Sequence, residues 1–508
     1  MPPQADENPA VMYPLYGPRD PPKEKSVPTA VLESEKVTTD DLPCPLYTPQ
    51  DADPSGYLGA REDCWNLACK DWPSAIAMPT CISEVQAVVK AAAGKKVAVL
   101  SGGHSAMCMP QGAFLISLRQ MNKVVVNVDD LTVMAEGGAK IGEVDAALKP
   151  HHLAVPLGTH PDTGIGGLTL GGGIGWLTPR VGLAIDNVVS FDVVLADGSL
   201  VTANESSHAD LYWALRGGGG NFGVVVSFTY KVYKVGGAEG FEPGMVLGGI
   251  VPFPVESFDN ATVIEKFGQE CLSTSMDNVQ MLLMPNGGPC ISVFTHHGTM
   301  AEAKADLELC GTGYGTKGMP PKDGVKPISW TDGVQTLTAM GDPNGSGDLL
   351  APGKPFYYTA GFVETITPEL SAFLAKAQSD AAGQTGIHAG GAIVIMPLNG
   401  PFNDVPSDAT AITARKAKFW VVFLLRLDGD ESKQKEGIAW GRSIKKEFIA
   451  MDGVVTDMRL NKAGSINVDE DTHAVLPSQN EGCVDKMRDI KAKYDSSNLF
   501  CYASLGKK

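Results

Sequence analysis

The stretch "DLYWALRGGGGNFGVVVSFTY" runs from Asp210 to Tyr230. Its middle formally satisfies G-x-G-x-x-G at Gly218, Gly220 and Gly223. A dinucleotide fold needs that pattern after a strand and at the opening of a helix, so that a pyrophosphate meets the helix N-terminus. Here the order is reversed. "DLYWALR" places apolar residues at helical spacing, the glycines stop it, and "VVVSFTY" is the β-branched and aromatic run of a strand. The order excludes a Rossmann fold and a nicotinamide cofactor with it. The phosphate loop of nucleoside triphosphatases is absent as well.

Two other stretches are as rich in glycine. "VAVLSGGHSAMCMP" (Val97 to Pro110) ends an apolar strand-like run in a glycine pair followed by His104, and "GTHPDTGIGGLTLGGGIGWLTPRVGLAIDN" spans Gly158 to Asn187. An ordered glycine costs conformational entropy and needs a reason, which is close backbone packing or close approach of a ligand. One such segment reads as packing. Three in one region point to an extended phosphate-bearing ligand laid against backbone N–H groups.

The 508 residues predict more than one structural unit. Hydrophobic residues are 43% and charged residues 19%, as in an ordinary globular protein, and the net charge of -17 argues against a nucleic-acid partner or an anionic membrane surface. The longest apolar runs, such as "FWVVFLL" at Phe419 to Leu425, are far too short to span a bilayer. Ten cysteines lack metal-ligand spacing, so no metal is expected. The N-terminus shows no secretory leader. The expected location is cytoplasmic, the alternative being secretion with a leader that is not part of this chain.

Composition and periodicity divide the chain into four parts. Residues 1–40, rich in Pro, Glu, Asp and Lys, read as a flexible or surface-wrapping extension. Residues 41–236 alternate short helices ("SEVQAVVKAAAG") and strands ("KVAVL"), with a hairpin closed by Asp197-Gly198. Residues 237–455 hold longer strand-like runs, among them "QMLLMP", "FYYTAGFVE" and "KFWVVFLLRL", between amphipathic helices. They predict an α+β domain on an antiparallel sheet. Residues 456–508 return to the first domain.

The three glycine segments resemble the FAD-binding domain of berberine-bridge-enzyme-like flavoproteins, in the vanillyl-alcohol-oxidase superfamily. The resemblance runs from about Tyr57 to Tyr233 and resumes in "VPSDATAITARKAKFW" and "KYDSSNLF". It implies an α+β, two-domain flavoprotein with FAD as cofactor. The implied cofactor-binding residues are Ser101, Gly102, Gly103, His104, Ser105, Gly158, His160, Thr163, Gly164, Gly166, Gly167, Gly171, Gly172, Gly173, Gly175, Asp186, Asn187 and Val225. It further implies a bond from the His104 ring to the flavin 8α carbon, which the glycine pair permits by letting backbone approach the ring edge. Many relatives carry a second link through a cysteine; His160 stands at that position, so a single link is implied. Thr163, at a position that gates oxygen in the family, has the shape of Val and implies an oxidase.

On the substrate side the resemblance weakens. The family's polar strand positions fall here on Val421 and Phe423 beside Trp420, and strand alternation puts Val421 and Phe423 on one face, unless the alignment slips by one residue. The family's base-forming tyrosine has no counterpart in "DMRLNKAGSINVDEDTH" (Asp457 to His473). Tyr357, Tyr358 and His388 remain as candidate catalytic groups. The expected reaction is hydride removal from an activated C–H, a carbinol or a carbon next to nitrogen, of an aromatic or secondary-metabolite small-molecule substrate, with O2 as acceptor. Oligosaccharide oxidation at the anomeric carbon, or a flavin-loaded protein without turnover, are the alternatives.

Overall fold

A computed structural model describes residues 26–33, 37, 42–62, 64–66, 71–105, 108–237, 239–252, 259–309, 325–334, 354–388, 390–455 and 481–502. The segment Asp457 to His473 and most of residues 1–40 lie outside the described residues. In the described part of that extension, a short helix Thr29–Leu32 buries Val27 and Val31 against Tyr57 and Leu58.

The first sheet is small. Strand Val97–Leu100 pairs in parallel with Phe114–Ser117, which pairs in parallel with Ala75–Ala77; Leu46–Tyr47 closes the edge antiparallel. Helix Ile82–Ala91 buries Val85, Val88 and Val89, the i, i+3, i+4 face its sequence presents. Beside it lies a five-stranded antiparallel sheet in the order 124–127, 132–136, 224–231, 188–194, 200–203. The Asp197-Gly198 turn joins its last two strands in space, with Gly198 at φ +80°. The C-terminal helix Glu481–Tyr494 packs Val484, Met487 and Ile490 into the same core as Leu211 and Leu215. Its buried Lys491 is spent on the fold: Nζ donates to the carbonyls of Asn221 (2.7 Å) and Phe500 (2.9 Å) and pairs with Asp495. The chain end is thereby fixed against the loop of Gly217–Gly223.

The second region is an eight-stranded antiparallel sheet in the order 325–329, 245–252, 291–296, 278–285, 392–397, 419–426, 356–363, 454–455. Helices Asn260–Glu270, Pro368–Ala381 and Glu431–Phe448 bury one face, together with Leu282, Ile393, Tyr357, Val421, Phe423 and Leu425. The other face, with Met281, Leu283, Val293, Val394, Trp420, Val422 and Leu424, turns toward the first region. This corrects the face expected for strand Phe419–Arg426. Val421 and Phe423 point to the helices, and the site-facing set is shifted by one residue. The register explains it, since Phe419 pairs with Val363, and both residues pack on the helix side.

The two regions are clamped by a buried ion pair. Arg415, in the loop that leads into strand Phe419–Arg426, donates from Nη1 to Asp186 Oδ2 (2.8 Å) and from Nη2 to Asp186 Oδ1 (2.7 Å). Their side chains are 3% and 8% exposed, so this planar fork is removed from water on both sides.

Candidate active site

Between the two regions runs a cavity of about 420 Å³. All three glycine segments line it. Ser101, Gly102, Gly103, His104 and Ser105 come from the turn after strand Val97–Leu100; Gly158, His160, Thr163, Gly164, Gly166, Gly167 and Gly171 from the second segment; Val225 from the long strand. The reversed-order loop contributes Gly217, Gly218, Gly219, Gly220, Asn221 and Gly223. The sequence marked this loop as one of the three segments suited to a phosphate-bearing ligand, but none of its glycines stood among the expected cofactor-binding residues.

The glycines divide into two kinds. A Cβ on Gly102 would lie 2.0 Å from the Gly164 nitrogen, and one on Gly164 would lie 2.1 Å from the Gly102 nitrogen, so this pair lets two loops cross. Gly173 and Gly175 are packing glycines too: a Cβ would meet Ala184 Cβ at 2.4 Å and the Leu157 carbonyl oxygen at 1.6 Å. By contrast, a Cβ on Gly167 or Gly220 would meet nothing within 4 Å, and one on Gly219 only Asn221 Nδ2 at 3.7 Å. Those three form a bare backbone cradle around open space.

Five residues expected to hold cofactor stand outside the lining: Gly172, Gly173, Gly175, Asp186 and Asn187. Both carboxylate oxygens of Asp186 serve Arg415, and Oδ2 also accepts from the Leu183 N–H. The Asn187 amide donates to the carbonyls of Val181 and Leu183. Asp186 thus belongs to the interdomain joint, and Asn187 braces the turn of residues 181–183 within the first region.

His104 and His160 come together, with ring centroids 5.7 Å apart. Burial first, then the neighbouring His160, hold the His104 imidazole well below the usual histidine range, so it is neutral at pH 7. Its buried Nε2 has no hydrogen-bond partner among the described residues. The Asp162 N–H donates to His160 Nδ1 at 3.3 Å, which puts the proton of a neutral His160 ring on Nε2.

Trp65 gave no signal in the sequence. Its ring stacks on His104 at 4.3 Å and on Phe356 at 5.0 Å, and its buried Nε1 has no partner among the described residues. The Trp65 N–H donates to the Gly103 carbonyl (3.0 Å), and the Asn66 side chain makes a two-way amide pair with the Phe356 backbone (3.0 and 3.1 Å). Segment 64–66 thus ties the histidine turn to the large sheet. Of the three candidate catalytic groups, Tyr358 lines the cavity. Tyr357 is buried on the helix face against Gly441. His388 lies away from the cavity lining and accepts the Gly390 N–H at Nδ1 (2.8 Å).

Residues 73–204 match the family described as an FAD binding domain. Several curated relatives of this chain are FAD-linked oxidoreductases by name, among them pgmH of Aspergillus terreus, 48% identical over 122 residues, 24% of this chain and 25% of that protein. Xylooligosaccharide oxidase of Thermothelomyces thermophilus is 40% identical over 168 residues, 32% of this chain and 34% of that protein. The chain spans about a quarter to a third of the length of the curated relatives it matches first. In fold, BBE-like 1 of Physcomitrella patens aligns with a TM-score of 0.76 at 19% identity, over 92% of this chain and 98% of that one. A glucooligosaccharide oxidase from Acremonium strictum, whose structure is described by a 6-S-cysteinyl, 8α-N1-histidyl FAD, aligns with a TM-score of 0.74 at 21% identity, over 88% and 94% of the two chains.

FAD fits the residues present. The cradle of Gly167, Gly219 and Gly220 offers backbone without side chains, as a pyrophosphate needs. The neutral His104 ring, with an unpartnered buried nitrogen, lines the same cavity. Among the described residues no helix is long and apolar enough to cross a membrane.

Proposed function

We propose that this FAD-linked oxidoreductase is an oxidase that carries its flavin on His104 through a single link. It removes a hydride from an activated C–H, a carbinol or a carbon next to nitrogen, of an aromatic or otherwise apolar small molecule, and O2 takes the electrons. FAD, when bound, supplies the hydride acceptor. The chain's own groups do the rest. Neutral His104 presents a nucleophilic ring nitrogen, His160 a donor N–H, and Tyr358 the hydroxyl that holds or receives the substrate proton.

The observation that carries this reading is the wall of the cavity formed by the large sheet. Met281, Leu283, Val293, Tyr358, Ala392, Val394, Trp420, Val422 and Leu424 face it, and Tyr358 supplies the hydroxyl among them. A sugar ring buried there would lose water from several hydroxyls with few replacements, at about 1–3 kcal/mol for each unsatisfied group. Two observations favour oligosaccharide oxidation as a second reading: the names of the relatives, and the Trp65, Trp420 and Tyr358 rings, which suit sugar C–H faces.

The test is anaerobic flavin bleaching with a panel of aromatic alcohols, cyclic amines and xylo- and gluco-oligosaccharides, followed by peroxide release in air. Bleaching by aromatic alcohols or amines is expected. Bleaching by oligosaccharides alone would select the second reading. No bleaching by any member, with a flavin that photoreduces and reoxidises normally, would mark a flavin-loaded protein without turnover.

A further inference from the structure

Directly behind the histidine turn, Cys64 Sγ and Cys108 Sγ lie 3.9 Å apart, 44 residues apart in sequence. Both residues are buried, at 1% and 8% exposure. We propose that Cys64 and Cys108 form a disulfide that staples the Trp65 segment to the turn bearing His104, with hydrogen peroxide as the oxidant. Closing from 3.9 Å to an S–S bond of about 2.0 Å needs side-chain rotation and a small backbone adjustment.

The surroundings favour this. Cys108 lines the cavity, so a small oxidant within it reaches that sulfur first. Cys64 Sγ donates to the carbonyls of Gly103 (3.3 Å) and Asn66 (3.4 Å). Losing those contacts leaves the Gly103 oxygen satisfied, because it also accepts from the Trp65 and Asn66 N–H groups at 3.0 and 3.3 Å. The chemistry balances. Cys108 sulfur gives an electron pair to one peroxide oxygen, forming a sulfenic acid as the first water leaves; Cys64 sulfur then displaces the hydroxyl as a second water. Two thiols lose two electrons and two protons, and one peroxide becomes two waters.

The bond would act on the site through position. Trp65 stacks on His104, and it is held by its neighbours in residues 64–66. Anchoring Cys64 fixes that stack and shields the imidazole. The Trp65 pair partner Phe356 on the large sheet is held by the same segment, so the staple reaches both domains.

The experiment uses holoenzyme treated with dilute hydrogen peroxide, blocked with an alkylating agent and digested with trypsin without reductant. The expected product is peptide 62–70 joined to peptide 97–119, sought both with and without FAD on His104 of the latter. Because 62–70 also contains Cys69, the digest is repeated with Cys69→Ser, in which the joined species should persist, and with Cys108→Ser, in which it should vanish. Oxidised wild type should inactivate at least threefold more slowly on heating than the same protein kept in reductant, and Cys108→Ser should show no such difference. Alkylated thiols at both Cys64 and Cys108 after peroxide treatment, or a bond that requires Cys69, would overturn the proposal. A joined peptide with unchanged inactivation would overturn its role as a staple. None of these outcomes depends on the substrate assigned above.

Discussion

Asp186→Ala should destabilise this protein strongly, and Asp186→Leu combined with Arg415→Met should not. In the wild type the guanidinium and carboxylate meet twice, at 2.7 and 2.8 Å, with 3% and 8% exposure. Removing only the carboxylate strands a buried cation, at a cost of about 3–5 kcal/mol. The Arg415 contact with Thr410 Oγ1 at 3.0 Å remains but carries no countercharge. For a cooperative unit of 150–250 residues that loss lowers Tm by on the order of 10 °C. Replacing both groups with apolar side chains removes the stranded charge, and such replacements run from neutral to stabilising by about 1–4 kcal/mol. Scanning calorimetry of Asp186→Leu, Arg415→Met and their double variant therefore yields a coupling energy of several kcal/mol. A single-variant loss below about 1 kcal/mol, the size of an exposed pair, would refute the argument. So would a double variant that merely adds the two single losses.

Gly220→Leu should fold with nearly wild-type Tm but lose bound flavin, read as the ratio of absorbance at the flavin band to that of protein, because its Cβ would enter open cavity space. Gly175→Ala, whose Cβ would lie 1.6 Å from a carbonyl oxygen, should instead fail to accumulate as folded protein. His104→Ala should release its yellow colour on acid precipitation, whereas wild type should retain one FAD in its intact mass; colour released equally from both would remove the covalent link. His297 gives a pH effect. Burial, then Arg180 and His296, hold it well below the usual histidine range, and neither ring nitrogen has a partner among the described residues. The unfolded chain takes up that proton near pH 6.5 and the folded chain only at lower pH, so stability falls as pH drops below 6.5, by up to about 1.4 kcal/mol per pH unit. His297→Leu should flatten urea-unfolding stability between pH 6.5 and 5.5 relative to wild type; an unchanged slope would assign the acid sensitivity elsewhere.

Local pattern made most elements readable. Helix Ile82–Ala91, the Asp197-Gly198 hairpin and the reversed order of helix Ala209–Leu215 and strand Val224–Lys231 all depend on residues close in sequence. The glycine segments could be traced to one cavity, but not sorted. Whether Gly173 packs on Ala184 or Gly220 faces open space depends on chain that arrives from elsewhere. The resemblance gave Asp186 as a cofactor residue, and its pairing with Arg415, 229 positions away, could not be read locally. Trp65 lay outside any motif, and its role comes from stacking partners at His104 and Phe356. The face of strand Phe419–Arg426 was misread because all of its first seven residues are apolar, so alternation carried no mark of which side was inside.

That same strand has a consequence for how such a chain can diverge. Trp420, Val422 and Leu424 touch the cavity, while Val421, Phe423 and Leu425 are locked among helices. Point substitutions at the first three positions can retune what the cavity accepts while the helix-facing core stays intact. Insertion or deletion of one residue between Arg415 and Phe419 has no such freedom. It would exchange the two sets at once, pressing Phe423 into the cavity and Trp420 into the helices. Innovation along this strand is therefore open to base changes that swap one residue for another and closed to those that shift its length by one.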